Sequence, residues 1–445
     1  MSDEWQAYVQ DPRSICKYGD TCYQKNPDHH NKYKHPPANP KHKVDTHRGD
    51  KRFSPYTKET MKAESGEDRP QNAEKYGKRH KVSEYETNST SNKNDPGKTE
   101  VPSPCENETK LCHVDVSYTD VMNQIPKDLT YHESTTEQSK YKELFLVEMP
   151  EDFFKFFECL KEENDGEKLL SSVNLQLIGP YELLLGKLPV LENKDLYLIH
   201  WRFFYDPPEF QAVLKSKDKS EFHIGYFRDD PSAEPVFLAH NDSSKGYHIT
   251  PYASNIFGAV YLYLENQKKS PFTAMTYKKT MEKVKSWAEK HNYSIEEYNA
   301  KRRTNLSIAK TLHGAGIMVP YDKKTQLGYR RLAESDANLK KLFLKLAEAK
   351  FQNDKDKILS DLQPIITYAN IAVDECDFGT GLEVGIDMFC SGLKELEASA
   401  LNSLCSVYSL LNRAEFGTII QAHLKCRRKG SDMSILSIGK TATHL

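Results

Sequence analysis

The sequence predicts an α+β fold in which a sheet-bearing first half packs on a helical second half. Hydrophobic residues make up only 38% of the 445 residues, and globular domains usually contain about 45 to 50%. Part of the chain therefore builds no core. From Tyr141 onward apolar residues recur in every window, in strand-like runs before Ser254 and at helical spacing after it.

The composition predicts four regions along the chain. The segment Pro37–Glu100 contains no Leu or Ile, so it cannot bury enough apolar surface to offset the entropy cost of ordering it. The depletion continues more weakly to about Lys140, although Val114, Val116, Val121, Ile125 and Leu129 could form a short docking element. The predicted regions are a small metal-binding finger at 11–36, a disordered linker at 37–140, a globular domain at 141–430 and a flexible tail at 431–445.

Within the globular region, local patterns predict the individual elements. Runs rich in aromatic and β-branched residues predict strands, at Leu196–Tyr205, Phe222–Phe227 and Pro235–His240. Apolar residues at three-and-four spacing predict helices, at Glu151–Glu163, Ile256–Glu265, Thr276–Lys290, Asp336–Lys350, Lys355–Ile371 and Leu393–Leu411.

Charge and hydropathy argue against several classes of protein. The formal net charge is -2, so any preference for nucleic acid must be local. No run of about 18 apolar residues is present, and Met1–Gln10 has no apolar signal region, so we expect no membrane partner and no secretion. Nine scattered cysteines fit a reducing compartment. The basic runs Lys301–Arg303 and Arg427–Lys429 are expected to be solvated.

Two thiols and two imidazoles lie close together near the N-terminus. Cys16, Cys22, His29 and His35 are separated by five, six and five residues, and this ligand set suits tetrahedral Zn²⁺. A segment this short cannot form a core, so metal binding would drive its folding. The spacing does not fit the DNA-reading finger, which has about twelve residues between its second Cys and first His.

This segment resembles a poly(ADP-ribose)-binding zinc finger of the PBZ type. The matching positions combine the four ligands with aromatic, glycine and His-Pro positions, and they comprise Arg13–Tyr23, Asn26, His29, Tyr33, His35 and Pro36. The resemblance implies that Tyr18 and Tyr23 stack on adenine and that Arg13 meets the pyrophosphate. Stacking combined with charge-assisted hydrogen bonds allows a small surface to hold a nucleotide.

An acidic cluster lies between apolar segments near the C-terminus. Asp374–Asp387 contains five carboxylates within fourteen residues and is interrupted by glycines. We expect Gly379 and Gly381 to end or bend a helix, which would leave Asp374–Asp377 as a turn at the mouth of a site. Residue types alone leave two readings open, a general base or a helix terminus with solvated acids.

Several separated motifs between about Tyr141 and Gly430 resemble the histone PARylation factor family. They occur in the family's order, at Tyr205–Gln211, Phe222–Pro231, His313–Gly316, Gly328–Arg330 and Asp374–Asp377. The resemblance implies an accessory factor that docks on the catalytic domain of DNA-damage poly(ADP-ribose) polymerases and completes their active site. The joint site would direct ADP-ribosylation to serine, including on histones, using NAD bound by the polymerase.

The resemblance also implies roles for individual residues. Glu375 would be the base that takes the proton of a serine hydroxyl, because a neutral hydroxyl attacks poorly without one, and Asp374 would shape the site. Tyr329 and Arg330 would contact the partner, with Asp387 at a further interface position. Arg330 is also the expected partner of the acidic mouth, because Arg binds carboxylates bidentately.

Two functional classes remain after these steps. The preferred class is an accessory catalytic subunit of the nucleus and chromosome, monomeric on its own, which stays near poly(ADP-ribose) through its finger. The alternative is an adaptor that reads poly(ADP-ribose) and chromatin, with a purely structural acidic mouth.

Overall fold

The computed structural model describes residues 10–16, 26–35, 121, 123–162, 166–267 and 273–438. The chain divides into two units, Met1–Ser103 and Pro104–Leu445. In the first unit, strands β1 (Ser14–Ile15) and β2 (Tyr33–Lys34) pair in parallel. Helix α1 (Pro27–Lys32) precedes β2 and begins after Asn26, whose side chain accepts a hydrogen bond from the Asp28 backbone N–H.

An antiparallel sheet of five strands in the order β3-β4-β5-β6-β7 forms the first half of the second unit. The strands are β3 (Leu175–Leu177), β4 (Phe210–Ser216), β5 (Phe222–Phe227), β6 (Phe237–Asp242) and β7 (Thr250–Ala253). Consecutive strands are neighbours, so short turns suffice to connect β4 to β5 and β5 to β6. The structure confirms two predicted strands, Phe222–Phe227 as β5 and Pro235–His240 as β6. Strands β3, β4 and β7 were not predicted.

Helices also occur before and between these strands, and they make up the second half of the unit. Those in the first half are α2 (Gln138–Phe145), α3 (Glu151–Lys161), α4 (Gly166–Ser172), α5 (Pro180–Leu184), α6 (Asp195–Ile199) and α7 (Ile256–Asn266). Those that follow are α8 (Ala274–Lys290), α9 (Ala300–Leu306), α10 (Asp336–Glu348), α11 (Gln352–Asp374), α12 (Phe378–Ser391), α13 (Lys394–Leu410) and α14 (Ala414–Lys425). A 3₁₀ turn follows at Ile435–Ser437.

One buried cluster joins the sheet and the helical half. It includes Leu214 and Ile224 from the sheet together with Val384 and Leu404 from the C-terminal helices. The α+β prediction is therefore confirmed, with helix on sheet and helix on helix sharing one core. Among the described helices, none has both the length and the apolar character needed to cross a membrane.

The predicted strand at Leu196–Tyr205 is wrong. Its first residues form α6, and the chain then reverses at Trp201, which has a φ of 57°. The buried Arg202 holds the irregular stretch, because its Nη1 donates to the carbonyls of Pro207 and Phe210 at 2.9 and 3.0 Å. A short apolar run cannot distinguish a buried helix from a strand, and the strand begins only after the two prolines.

The predicted region boundaries also differ from the structure. Met433, Ile435 and Ile438 are buried, so residues 431–438 are packed and are not a flexible tail. In the predicted linker, Val121 is buried and Ile125 packs on the core, as expected of a docking element, whereas Pro37–Glu100 lies outside the described residues.

Candidate functional site

The junction between α11 and α12 places Glu375 at a helix end. Asp377 N donates to Ala372 O at 2.8 Å and Cys376 N donates to Val373 O at 2.9 Å, the paired bonds of a Schellman motif. Cys376 has a φ of 70°, so a cysteine occupies the left-handed position that glycine usually takes. The chain reverses here, which leaves Glu375 beside the first turn of α12.

The glycines of this region do not break a helix, contrary to the sequence prediction. Gly379 and Gly381 both lie inside α12, and the break falls at Cys376. Gly379 instead permits a close backbone approach, because a Cβ there would come within 3.0 Å of Gly328 O and 3.1 Å of Tyr329 Cδ2. The turn predicted at Asp374–Asp377 is thus present, and it forms at Cys376 and not at a glycine.

The backbone of the segment that carries Tyr329 and Arg330 is hydrogen-bonded to the start of α12. Gly379 N donates to Gly328 O at 2.8 Å. Arg330 N donates to Thr380 Oγ1 at 2.9 Å, and the same hydroxyl donates to Arg330 O at 2.6 Å. Residues from two distant stretches of sequence are therefore held in one place.

The Arg330 guanidinium joins this segment to the acidic turn. Its Nε donates to Asp377 Oδ2 at 2.6 Å, and its Nη2 donates to Glu375 Oε2. The Asp377 side chain is 6% exposed, whereas those of Glu375 and Arg330 are 29% and 34% exposed. The buried carboxylate therefore anchors the arginine, and the more exposed carboxylate lies at the surface, where another molecule can reach it.

A second contact lies under Tyr329. Its hydroxyl donates to Glu383 Oε2 at 3.1 Å. Burial raises the pKa of the Glu383 carboxyl to about 7, and burial together with this carboxyl also raises the pKa of Tyr329. Glu383, which lies one helical turn beyond Thr380 in α12, therefore orients the Tyr329 side chain.

The remaining predicted residues of this region occupy different environments. Asp374 is exposed at the last position of α11. Asp387 is 1% exposed and accepts a hydrogen bond from Leu312 N at 2.7 Å, and burial raises the pKa of its carboxyl. This burial differs from its expected place at an interface, so any effect of Asp387 on a partner would be indirect, through the loop it holds.

Sequence reasoning gave no individual role to three residues of this cluster. They are Asp377, which anchors Arg330, Thr380, which binds the Arg330 backbone, and Glu383, which binds Tyr329. The only available signal was the position of Asp377 just before an apolar helix, where an acidic residue is common. Contacts across 47 and 54 residues leave no spacing pattern.

Three of the four predicted metal ligands come together in the N-terminal unit. Cys16 Sγ lies 3.3 Å from His29 Nε2, and His29 Nε2 lies 3.1 Å from His35 Nε2. Ligand atoms of a tetrahedral zinc ion are about 3.3 to 3.8 Å apart, given bonds of about 2.0 to 2.3 Å, close to the two distances seen here. The donors present therefore fit zinc, and the fourth predicted ligand, Cys22, lies outside the described residues.

Of the predicted ADP-ribose-binding residues, Arg13 is described and Tyr18 and Tyr23 lie outside the described residues. Arg13 Nε donates to both Asp11 carboxylate oxygens at 3.0 Å, and this hydrogen bonding lowers the pKa of Asp11 to about 2. The Arg13 side chain is 43% exposed. Its guanidinium is thus oriented by Asp11 and still reaches solvent.

Each of the two units contains a stretch that matches a known family model. Residues 136–427 match the family model of Histone PARylation factor 1, and residues 13–38 match the PBZ domain. The chain is 39% identical over 298 residues to Histone PARylation factor 1 of Danio rerio, covering 65% of this chain and 85% of that protein. It is 38% identical over 293 residues to the Bos taurus protein of the same name, covering 64% and 84%.

A further relative is the Putative histone PARylation factor 1-like protein of Homo sapiens. It is 35% identical over 332 residues, which cover 72% of this chain and 90% of that protein. The family match spans more than half of the chain and includes Tyr329, Arg330 and the acidic turn. This chain therefore belongs to the histone PARylation factor family and carries a PBZ domain at its N-terminus.

Proposed function

We propose that this protein docks on the catalytic domain of a DNA-damage poly(ADP-ribose) polymerase and supplies Glu375 to its active site. The joint site would transfer ADP-ribose from polymerase-bound NAD to serine, including serine on histones. The observation that carries the proposal is the Arg330–Glu375 pair, with side chains 34% and 29% exposed, anchored on the buried Asp377. Such an arrangement offers a positioned carboxylate at a surface that a second protein can cover.

The chemistry explains why a carboxylate is needed. A serine hydroxyl is neutral at pH 7, and its attack on the anomeric carbon of NAD improves about a hundred- to ten-thousand-fold when a positioned base takes its proton. Glu375 would be this base. Asp374, adjacent and exposed, would shape the acceptor side of the site.

Tyr329 and Arg330 would provide the docking contact. Both side chains are only partly buried and are fixed by Glu383 and Asp377, so little side-chain entropy is lost on binding. Truncating an arginine that pairs with a charge across an interface leaves that charge without its partner, and such truncations cost about 2 to 5 kcal/mol. Arg330→Ala should therefore weaken binding to the polymerase catalytic domain at least about thirtyfold in a calorimetric titration.

The N-terminal unit would hold zinc through Cys16, Cys22, His29 and His35 and bind poly(ADP-ribose) through Arg13, Tyr18 and Tyr23. Binding to poly(ADP-ribose) would bring the protein to chromosomes in the nucleus, at sites of DNA damage. The zinc ion would fix the backbone of the segment, and the chain's own aromatic and basic side chains would hold the nucleotide. Deleting residues 1–36 should weaken recruitment to poly(ADP-ribose) and spare serine modification of a free peptide.

The test of the proposed function is a reconstitution of the polymerase, NAD and a histone peptide with and without this protein. Mass spectrometry should find ADP-ribosyl serine only when the protein is added. The adaptor alternative, in which the Arg330–Glu375–Asp377 contacts are purely structural, predicts the same acceptor residues in both samples.

A further inference from the structure

A groove is lined by residues of α11, α12 and α13. Its volume is about 370 Å³, and Asp374 is part of its wall. Asp374 directly precedes Glu375, the residue proposed as the base. The groove therefore reaches the residue next to the proposed base.

The walls of the groove are rich in neutral hydrogen-bonding side chains. Two amides come from α11 and one amide with three hydroxyls comes from α13, at Gln363, Asn370, Asn402, Ser399, Ser403 and Ser406. Gln363 and Asn370 are two helical turns apart on α11, and the α13 positions follow an i, i+3, i+4, i+7 pattern, so each set lies on one face of its helix. Apolar side chains of the same two helices, Ile366, Val373 and Val407, also line the groove, so it offers both polar and apolar contacts.

A glycine of α12 forms the floor of the groove near Asp374. A Cβ at Gly381 would come within 2.3 Å of Val373 Cγ2 and 2.8 Å of Val407 Cγ2. The absence of a side chain thus allows the three helices to meet beneath the groove. Eleven residues of helix from Gln363 to Asp374 span about 16 Å, which equals the length of about five residues of extended chain.

We propose that this groove binds the main chain of the acceptor polypeptide beside the serine that is modified, an inference that rests on the proposed function. Side-chain amides offer one donor group and one acceptor, and hydroxyls offer both, so they match the N–H and C=O groups of a peptide. Among the groove's wall residues Asp374 alone is charged, which disfavours phosphate and leaves neutral hydrogen-bonding groups as the main contacts. The groove orients the serine toward Glu375 and leaves the choice of flanking side chains open.

The first test measures KM and kcat for a histone peptide of about ten residues with the polymerase catalytic domain and NAD. Each lost hydrogen bond changes affinity about three- to tenfold. The double variant Asn402→Ala/Ser406→Ala should therefore raise KM for the peptide about tenfold or more, with kcat unchanged. The control Asn353→Ala/Ser409→Ala removes the same side-chain types from exposed positions of α11 and α13 outside the groove and should leave KM unchanged.

A peptide shortened to the serine and one neighbour on each side should show the same KM with the wild type and the groove variant. An unchanged KM for the long peptide, or an equal rise for both peptides, overturns the proposal.

The second test separates the groove from the base assignment. A peptide carrying a benzophenone group three residues from the serine, on either side, is irradiated in the complex of polymerase and Glu375→Gln protein. Crosslinks to α11 or α13 residues of the groove support the proposal whether or not the wild-type protein directs serine modification. Crosslinks confined to other surfaces overturn it, even if Glu375 proves to be the base.

Discussion

Replacing Asp377 by asparagine tests whether one buried carboxylate holds the segment Gly328–Arg330 in place. Asp377 Oδ1 accepts a hydrogen bond from Gly328 N at 2.9 Å, and Oδ2 accepts one from Arg330 Nε at 2.6 Å. An asparagine can keep the first bond through its amide oxygen. Its amide nitrogen would then face Arg330 Nε, and two donors would oppose each other.

The magnitude follows from these two bonds. A hydrogen bond between charged groups contributes about 1.5 to 3 kcal/mol, so Asp377→Asn should lower the free energy of unfolding by about 2 kcal/mol. Asp377→Ala also leaves the Gly328 N–H without its acceptor, and we expect a loss of about 3 to 4 kcal/mol. Arg330 keeps its contact with Glu375 in both variants, which limits the loss.

Urea denaturation of the full chain, followed by circular dichroism, measures this difference. The matched control is Asp374→Asn, an exposed carboxylate of the same turn, which should change the unfolding free energy by less than about 0.5 kcal/mol. The reasoning is refuted if Asp377→Asn is as stable as the control at an unchanged m-value.

Three further predictions concern pH, backbone strain and metal. Burial raises the pKa of the Glu383 carboxyl from 4.5 to about 7. Its contribution to stability is therefore complete below about pH 4.5 and is lost as the pH rises through 7, a fall of at most about 3 kcal/mol. Glu383→Gln should remove this fall, and parallel pH profiles of the unfolding free energy for the two proteins would contradict the prediction. The φ of 70° at Cys376 suits glycine. Cys376→Gly should therefore raise the free energy of unfolding by up to about 1 kcal/mol, and Cys376→Val should lower it by about 1 to 2 kcal/mol. Equal melting temperatures for the two variants would rule this out. Metal analysis should find one zinc per chain, lost in Cys16→Ala, and a metal-free wild type would exclude the site.

The helical half of the fold was largely predictable because its periodicity is local. Apolar spacing predicted a helix at Lys355–Ile371, and the structure has α11 at Gln352–Asp374. Strand β4 was missed because all of its residues from Phe210 to Ser216 are buried, so it lacks the alternation that marks a half-exposed strand.

Buried charges were the least predictable feature. Arg303 lies in a basic run that was expected to be solvated, yet its guanidinium binds Asp229 with two contacts of 2.6 Å and is 5% exposed. Arg427 is also buried and donates to Phe204 O and Phe389 O. A charge pattern in the sequence gives the sign of a residue and not the distant partner that makes its burial tolerable.

In the candidate site too, the sequence predicted local features and missed contacts between distant residues. The metal-ligand spacing was sufficient to predict the meeting of Cys16, His29 and His35, because all three lie within one short segment. The roles expected for Glu375 and Arg330 came from resemblance, and their contact spans 45 residues. No local rule connects such positions, so Asp377, which anchors the pair, became visible only in the folded chain.

The central claim is that Glu375 is the base for serine modification, and Glu375→Gln tests it most directly. Glutamine keeps an oxygen that can accept from Arg330 and cannot take a proton at neutral pH, so docking should be retained and catalysis lost. Polymerase binding is measured by calorimetry, and ADP-ribosyl serine on a histone peptide is measured by mass spectrometry. The account predicts wild-type affinity within about threefold and a loss of serine product of at least about a hundredfold. Serine modification at the wild-type rate with normal docking would contradict it.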